Sequence, residues 1–209
     1  MASKSVALIT MSTRGTRVGP AVAEFVKNII EKPLAADEIS IASVDLVKFN
    51  LPVYNEHVAP AMVPDKASFQ YEHSKVWSAE IAKHDGYVLV IPEYNYGVAG
   101  GTKNAIDYLV NEWKGKPAAI VSYGVKGGTT ANDQVKGALT GVGLIIAETR
   151  PTLPFSGQPD VYAAIGGGRL GEETLKAWGG EPTESIRKLA AELKGLLLQP
   201  NTEVNAPKP

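Results

Sequence analysis

The chain has 209 residues, 44% hydrophobic and 21% charged, with a formal net charge of −1, the balance of an ordinary globular protein rather than a disordered or membrane-embedded one. The near-neutral charge argues against nucleic acid as the main partner, because phosphate-tracking proteins carry a basic excess. There is no cysteine, which excludes disulfides, thiolate nucleophiles and Cys-ligated metals.

Ser5–Met11 is a short apolar run that reads as a buried strand. Gly19 and Pro20 open a helix, with proline at the position where its missing N–H costs nothing. Ala21, Val22, Phe25, Val26, Ile29 and Ile30 share one face of it, and Pro33 is expected to end it. Ile39, Ile41 and Val44 suggest a second strand, followed by a proline-rich loop over Asn50–Pro64. A second helix is expected over Asp65–Lys83, carrying Phe69, Val76, Trp77 and Ile81. Tyr87–Ile91 is a third strand, stopped by Pro92, and Ala105, Ile106, Leu109, Val110 and Trp113 stripe a third helix. Ala118–Tyr123 is a fourth strand, Val135, Ala138, Leu139 and Val142 line a fourth helix, and Leu144–Thr149 is a fifth strand. Phe155–Pro182 is Gly-rich and reads as a long irregular loop, before a last helix over Glu184–Leu198.

Five strands alternating with five helices imply an α/β fold, a parallel sheet with helices on both faces. The leading arrangement is the flavodoxin-like order 2-1-3-4-5, and a Rossmann-type half is its competitor. A single domain over residues 1–198 is expected, with 199–209 a disordered tail. No apolar signal region precedes the first strand, and no run approaches the roughly 20 apolar residues of a membrane span, so a soluble cytoplasmic protein is expected.

In such a sheet ligands bind beyond the carboxyl ends of the strands, where the winding reverses. Three loops fall on that edge. The first, Ser12-Thr13-Arg14-Gly15-Thr16-Arg17-Val18-Gly19, offers hydroxyls, guanidinium groups and a flexible backbone at a helix N-terminus. That is what a phosphate dianion requires; the plain alternative is a solvated turn with a cap. The second runs from Pro92-Glu93-Tyr94-Asn95-Tyr96-Gly97 to Gly101 and then Lys103-Asn104. It suits a flat aromatic ligand that needs close backbone approach, or equally a glycine turn with locally packed tyrosines. Lys103 and Asn104 either meet the ligand's polar edge or cap the helix. The third, Ser122-Tyr123-Gly124-Val125-Lys126-Gly127-Gly128, again ends a strand before a helix.

These three stretches, S-T-R-x-x-R-x-G-P, P-E-Y-N-Y-G with K-N-A-I-D, and S-Y-G-x-x-G-G, resemble the NAD(P)H-dependent FMN reductases. That family includes flavin, quinone, chromate and azo-dye reductases on a flavodoxin-like fold, and the resemblance runs from about Val6 to Thr149. It implies that Ser12, Arg14, Arg17, Val18 and Gly19 hold the FMN phosphate. Pro92, Glu93, Tyr94, Asn95 and Tyr96 would hold the isoalloxazine ring, flanked by Ser122, Tyr123, Gly124 and Gly127. It also implies NAD(P)H as co-substrate, with NADPH favoured on resemblance alone, and a homodimer. Met11 stands where many members have glycine, and Ala99 where they usually have proline. The reaction expected is ping-pong transfer of hydride from NAD(P)H through FMN to a quinone, flavin or similar small acceptor. The flavin carries the chemistry, and no catalytic side chain is assigned.

Other signals point elsewhere or nowhere. Gly166–Gly171 matches G-x-G-x-x-G, but too late in the chain for a βαβ unit to follow, and reads as a mobile loop or a lid. His57, His73 and His84 lack metal-ligand spacing, and no G-x-S-x-G or H-E-x-x-H is present. The Lys and Glu residues of the last helix read as its solvated face. Two rival functions share the fold: a non-enzymatic flavodoxin-type electron carrier and an FMN-binding regulatory protein. The carrier reading fits poorly with a charge of −1, since such carriers use strong acidity to dock.

Overall fold

In the computed structural model, which describes residues 3–63 and 68–199, the first apolar run forms β1 (Lys4–Thr10). Its side chains alternate between two cores. Val6 and Leu8 face one helical layer, while Ala7, Ile9 and Met11 face the other. β2 (Ile39–Asp45) and β3 (Gly86–Tyr94) flank β1 in parallel, and β5 (Pro117–Gly124) lies beyond β3. The described residues form a seven-stranded sheet whose main path is β2-β1-β3-β5-β6, β6 being the short strand Ile145–Ile146. That path is the expected 2-1-3-4-5 winding. Two short strands lie off it: β4 (Gly97–Val98) turns back on β3, and β7 (Thr152–Pro154) pairs with β5.

The fifth strand is therefore split rather than continuous over 144–149. β6 (Ile145–Ile146) pairs at Pro117–Ala118, and β7 pairs further along at Ser122–Gly124. Between them the chain leaves the ladder, and the Thr149 N–H donates instead to the Glu192 carboxylate at 2.7 Å. Glu192 lies on α7 (Glu181–Leu198), so this acidic side chain closes the gap in a strand and does not belong to a solvated face.

One layer holds α1 (Gly19–Ala35), α5 (Gln158–Gly167), α6 (Glu172–Trp178) and α7; the other holds α2 (Glu72–Ala82), α3 (Gly100–Asp107) and α4 (Thr129–Gly141). α1 runs two residues past Pro33. The proline removes one bond of the ladder, but Ala36 N–H reaches Lys32 O at 3.2 Å and Leu34 stays buried in the core. α2 starts at Glu72, not Asp65. The Glu56 carboxylate accepts the backbone N–H groups of Gln70 and Tyr71, both at 2.9 Å, and holds them out of the helix; residues 64–67 lie outside the described ones. Phe69 is buried all the same.

β3 passes through Pro92 because its neighbour β1 has ended there. The last bond to that side is Met11 N–H to Val90 O at 3.0 Å, so the missing proline N–H faces a vacant edge. α3 stops at Asp107, short of Trp113. Beyond it aromatic packing sets the chain path: Trp113 meets Tyr87 edge-on at 4.8 Å, and the Tyr108 hydroxyl donates to Pro52 O at 3.0 Å.

The Gly-rich stretch 155–182 contains two helices, α5 and α6, rather than an irregular loop. Trp178 anchors it, fully buried, with its ring 6.1 Å from Phe155 and 5.2 Å from Phe25. Its indole N–H donates to Pro154 O at 2.7 Å. Of the expected tail, Gln199 caps α7 and residues 200–209 lie outside the described ones.

Candidate functional site

The loops after β1, β3 and β5 come together at one edge of the sheet. A Cβ on Gly19 would run into the Ser12 hydroxyl and come within 2.7 Å of the Tyr123 hydroxyl. A Cβ on Gly101 would stand 2.6 Å from Thr13 Oγ1, and one on Gly124 would touch the Glu93 side chain at 3.4 Å. Gly19 thus lets the first turn of α1 press on the first and third loops at once. The strand end is pinned as well, since Met11 O accepts the Thr102 hydroxyl at 3.1 Å. The Met11 side chain points into the core, away from the loop.

Within the first loop, no backbone N–H from Thr13 to Val18 makes a hydrogen bond among the described residues. These donors open at the positive end of the α1 dipole. Arg17 and Arg14 differ in role. Arg17 Nη2 pairs with Asp45 Oδ2 at 2.8 Å in a largely buried contact, and Nη1 lies 3.5 Å from the Ser12 hydroxyl. Its charge is thus balanced by a partner within the protein. Arg14 is exposed; Nε–H donates to Thr16 O at 2.7 Å and Nη2 to Ile165 O at 2.8 Å, with the Tyr94 ring centroid 5.6 Å away. Asp45, at the carboxyl end of β2, escapes a reading confined to the three loops. The strand-end rule that picked those loops applies to it equally.

The second loop is a β3–β4 hairpin. Asn95 and Tyr96 both take left-handed backbone, φ 49° and 62°, the two-residue turn that matches strand twist. Tyr96 is 76% exposed at its tip. α4 holds the hairpin from behind: Gln134 Oε1 accepts Val98 N–H at 2.8 Å, and Glu93 Oε2 accepts Ala131 N–H at 3.1 Å. The Glu93 carboxylate therefore caps α4. The Lys103 and Asn104 side chains are both engaged by partners outside the three loops, and Asn104 also borders a small cavity with Thr13 and Gly101. Lys103 pairs with Asp107 at 2.6 Å, and Asn104 holds the Tyr54 N–H and Pro52 carbonyl at 3.0 and 2.7 Å.

In the third loop Ser122 is buried and fully engaged. Its hydroxyl donates to Gly127 O at 2.9 Å and accepts from Asn132 Nδ2 at 3.0 Å, while Asn132 Oδ1 accepts from Arg150 at 2.6 Å. Burial pushes the Tyr123 phenol well above the ordinary range, so it stays protonated. A small cavity of about 150 Å³ opens beside the first loop, between Thr13, Leu46, Asn50 and Gly101. No cluster of metal-ligating side chains occurs among the described residues.

Comparison with known proteins gives the chain a family. Residues 5–158 match the model of the family described as NADPH-dependent FMN reductase. The chain is 50% identical to the NAD(P)H-dependent FMN reductase ntnL of Nectria sp, over 93% of this chain and 98% of that one. It is 34% identical to a quinone reductase of Pseudomonas putida, over 65% of this chain and 69% of that one. The fold also matches the oxidised flavodoxin 1 of Bacillus cereus, with a TM-score of 0.51 at 13% identity, covering 90% of this chain and 96% of that one. On its sheet order, its converging loops and these matches, the chain belongs to the NADPH-dependent FMN reductase family.

Proposed function

We propose that the protein is an oxidoreductase that binds FMN at the three converging loops and passes hydride from NAD(P)H to a small acceptor such as a quinone. The observation that carries the reading is the row of N–H donors between Thr13 and Val18 that have no partner among the described residues, beside Arg14 and at the start of α1. A phosphate dianion fits that row: it accepts from several donors at once and meets both a helix dipole and a guanidinium. The side chains lining the loop fit it too, because the Asp45 carboxylate bound there is neutralised by Arg17.

Each residue then has a task. The backbone of Thr13 to Gly19 and the Arg14 guanidinium receive the phosphate. Ser12 and Arg17 keep the loop's shape, and Ser122 fixes the third loop through Gly127. The hairpin residues Pro92, Glu93, Tyr94, Asn95 and Tyr96 offer backbone and ring faces to a flat group, with Tyr123 and Gly124 across from them. When bound, FMN supplies hydride acceptance and delivery, the donor and the acceptor using one face of the site in turn. In this reading the flavin requires no side-chain nucleophile, and the neutral Tyr123 phenol is buried behind the loop.

The reading extends to a homodimer. Val53, Val58 and Met62 expose apolar side chains on one loop stretch, a surface that a second copy would cover. Sedimentation of the FMN-loaded protein at twice the 22.2 kDa chain mass supports this, and a monomer removes it. The activity itself is tested by steady-state turnover with NADPH and a soluble quinone. Multiple turnovers that disappear on FMN removal and return on its addition support the reading; equal turnover without flavin overturns it.

A further inference from the structure

The family match ends at residue 158, where α5 begins, yet the far end of α5 rests on the first loop. Arg14 Nη2 donates to the Ile165 carbonyl at 2.8 Å, joining positions 151 residues apart. The chain then turns at Gly168, with left-handed φ of 62°. A Cβ there would stand 2.9 Å from the Arg17 carbonyl oxygen and 3.2 Å from its carbonyl carbon. Only glycine lets the end of α5 come this close to the loop backbone. Arg169 N–H returns to Ala163 O at 3.2 Å and closes the helix.

The contact constrains Arg14 from three sides. Nε–H is taken by Thr16 O, Nη2 by Ile165 O, and the Tyr94 ring lies 5.6 Å from the guanidinium carbon. Nη1 has no partner among the described residues. A helix C-terminus carries partial negative charge and attracts a cation, so α5 supports a guanidinium at its carbonyl end. An exposed arginine ordinarily loses rotamer freedom when it grips an anion; here that ordering is done beforehand.

We propose that the carbonyl end of α5 is a positioning element that holds Arg14 with its Nη1 edge presented to the phosphate of the bound nucleotide. A segment beyond the end of the family-model match thereby tunes how tightly this chain retains its cofactor. The inference rests on the first loop being the phosphate site.

The test measures FMN and riboflavin affinity by flavin fluorescence for wild type, Arg14→Ala, Gly168→Ala and the double variant, with the melting temperature of each apoprotein. In Gly168→Ala the added Cβ pushes the end of α5 off the loop. Arg14→Ala and Gly168→Ala are each expected to weaken FMN binding about tenfold, the double variant being no weaker than Arg14→Ala alone. Riboflavin affinity should not move in Gly168→Ala, a result that general damage would not produce. Wild-type FMN affinity in Gly168→Ala, or losses that multiply in the double variant, overturns the proposal. Wild-type affinity in Arg14→Ala overturns the phosphate reading with it. Should Gly168→Ala not fold, Gly168→Asn tolerates the left-handed backbone and still carries the colliding Cβ, with the same outcomes deciding.

Discussion

Tyr96 holds a conformation that suits glycine far better than an aromatic residue. With φ of 62° at a hairpin tip, it carries the roughly 1–2 kcal/mol by which an L-residue disfavours that region. Local strain of this kind persists at sites where a side chain is needed, and an exposed ring beside the proposed flavin loop is such a need. Tyr96→Gly is expected to stabilise the apoprotein by about 0.5–1 kcal/mol, part of the relief being lost to glycine's greater unfolded freedom. FMN binding should weaken at the same time. Urea unfolding of the apoprotein checks the first effect, and a less stable variant would show that the turn is not strained. The candidate residues Ser12, Arg14, Tyr94 and Tyr123 were legible because chemistry-bearing side chains at strand ends stand out from core patterning. The division of labour among them was not. That Arg17 answers to Asp45, Glu93 to α4 and Ser122 to Asn132 depends on partners 10 to 38 positions away, which local spacing does not reveal.

Among the elements, those with a long apolar stripe or a clean buried run were read nearly to their ends, as β1, α1 and α7 show. The misses are elements whose state is decided by tertiary contact. α5 and α6 are short and glycine-bounded, and they are held by Trp178 between Phe25 and Phe155. Their own periodicity is too brief to outweigh the glycines. β6 and β7 are two and three residues long, and their break depends on Glu192. Ala99 gives a test at this scale. It caps α3 with φ of −62°, the angle a proline ring imposes, and its N–H makes no hydrogen bond among the described residues. Ala99→Pro should therefore stabilise the protein by about 0.4–1 kcal/mol by narrowing the unfolded ensemble. A lower melting temperature would mean that the buried ring does not fit beneath the hairpin.

Across the whole molecule, the proposed cofactor loops and a carboxylate that ties down the first strand sit at opposite ends of the sheet. At the end away from the loops Asp85 accepts the Ser5 N–H at 2.8 Å and the Lys4 ammonium at 3.1 Å. Burial raises its pKa, but these partners outweigh it and hold the carboxyl below its ordinary 3.8. A group depressed on folding contributes stability above its unfolded value and loses it as pH falls through the folded one. Stability should thus decline below about pH 4, and Asp85→Asn should flatten that decline. Urea midpoints across this range decide it; equal slopes would remove Asp85 from the account. At the other end everything depends on whether the first loop receives a phosphate. The most direct measurement compares equilibrium binding of FMN and riboflavin, which differ only in that group. Two charge-assisted hydrogen bonds at roughly 1.5–3 kcal/mol each predict that FMN binds on the order of a hundredfold more tightly or better. Equal affinity for the two flavins would contradict the account.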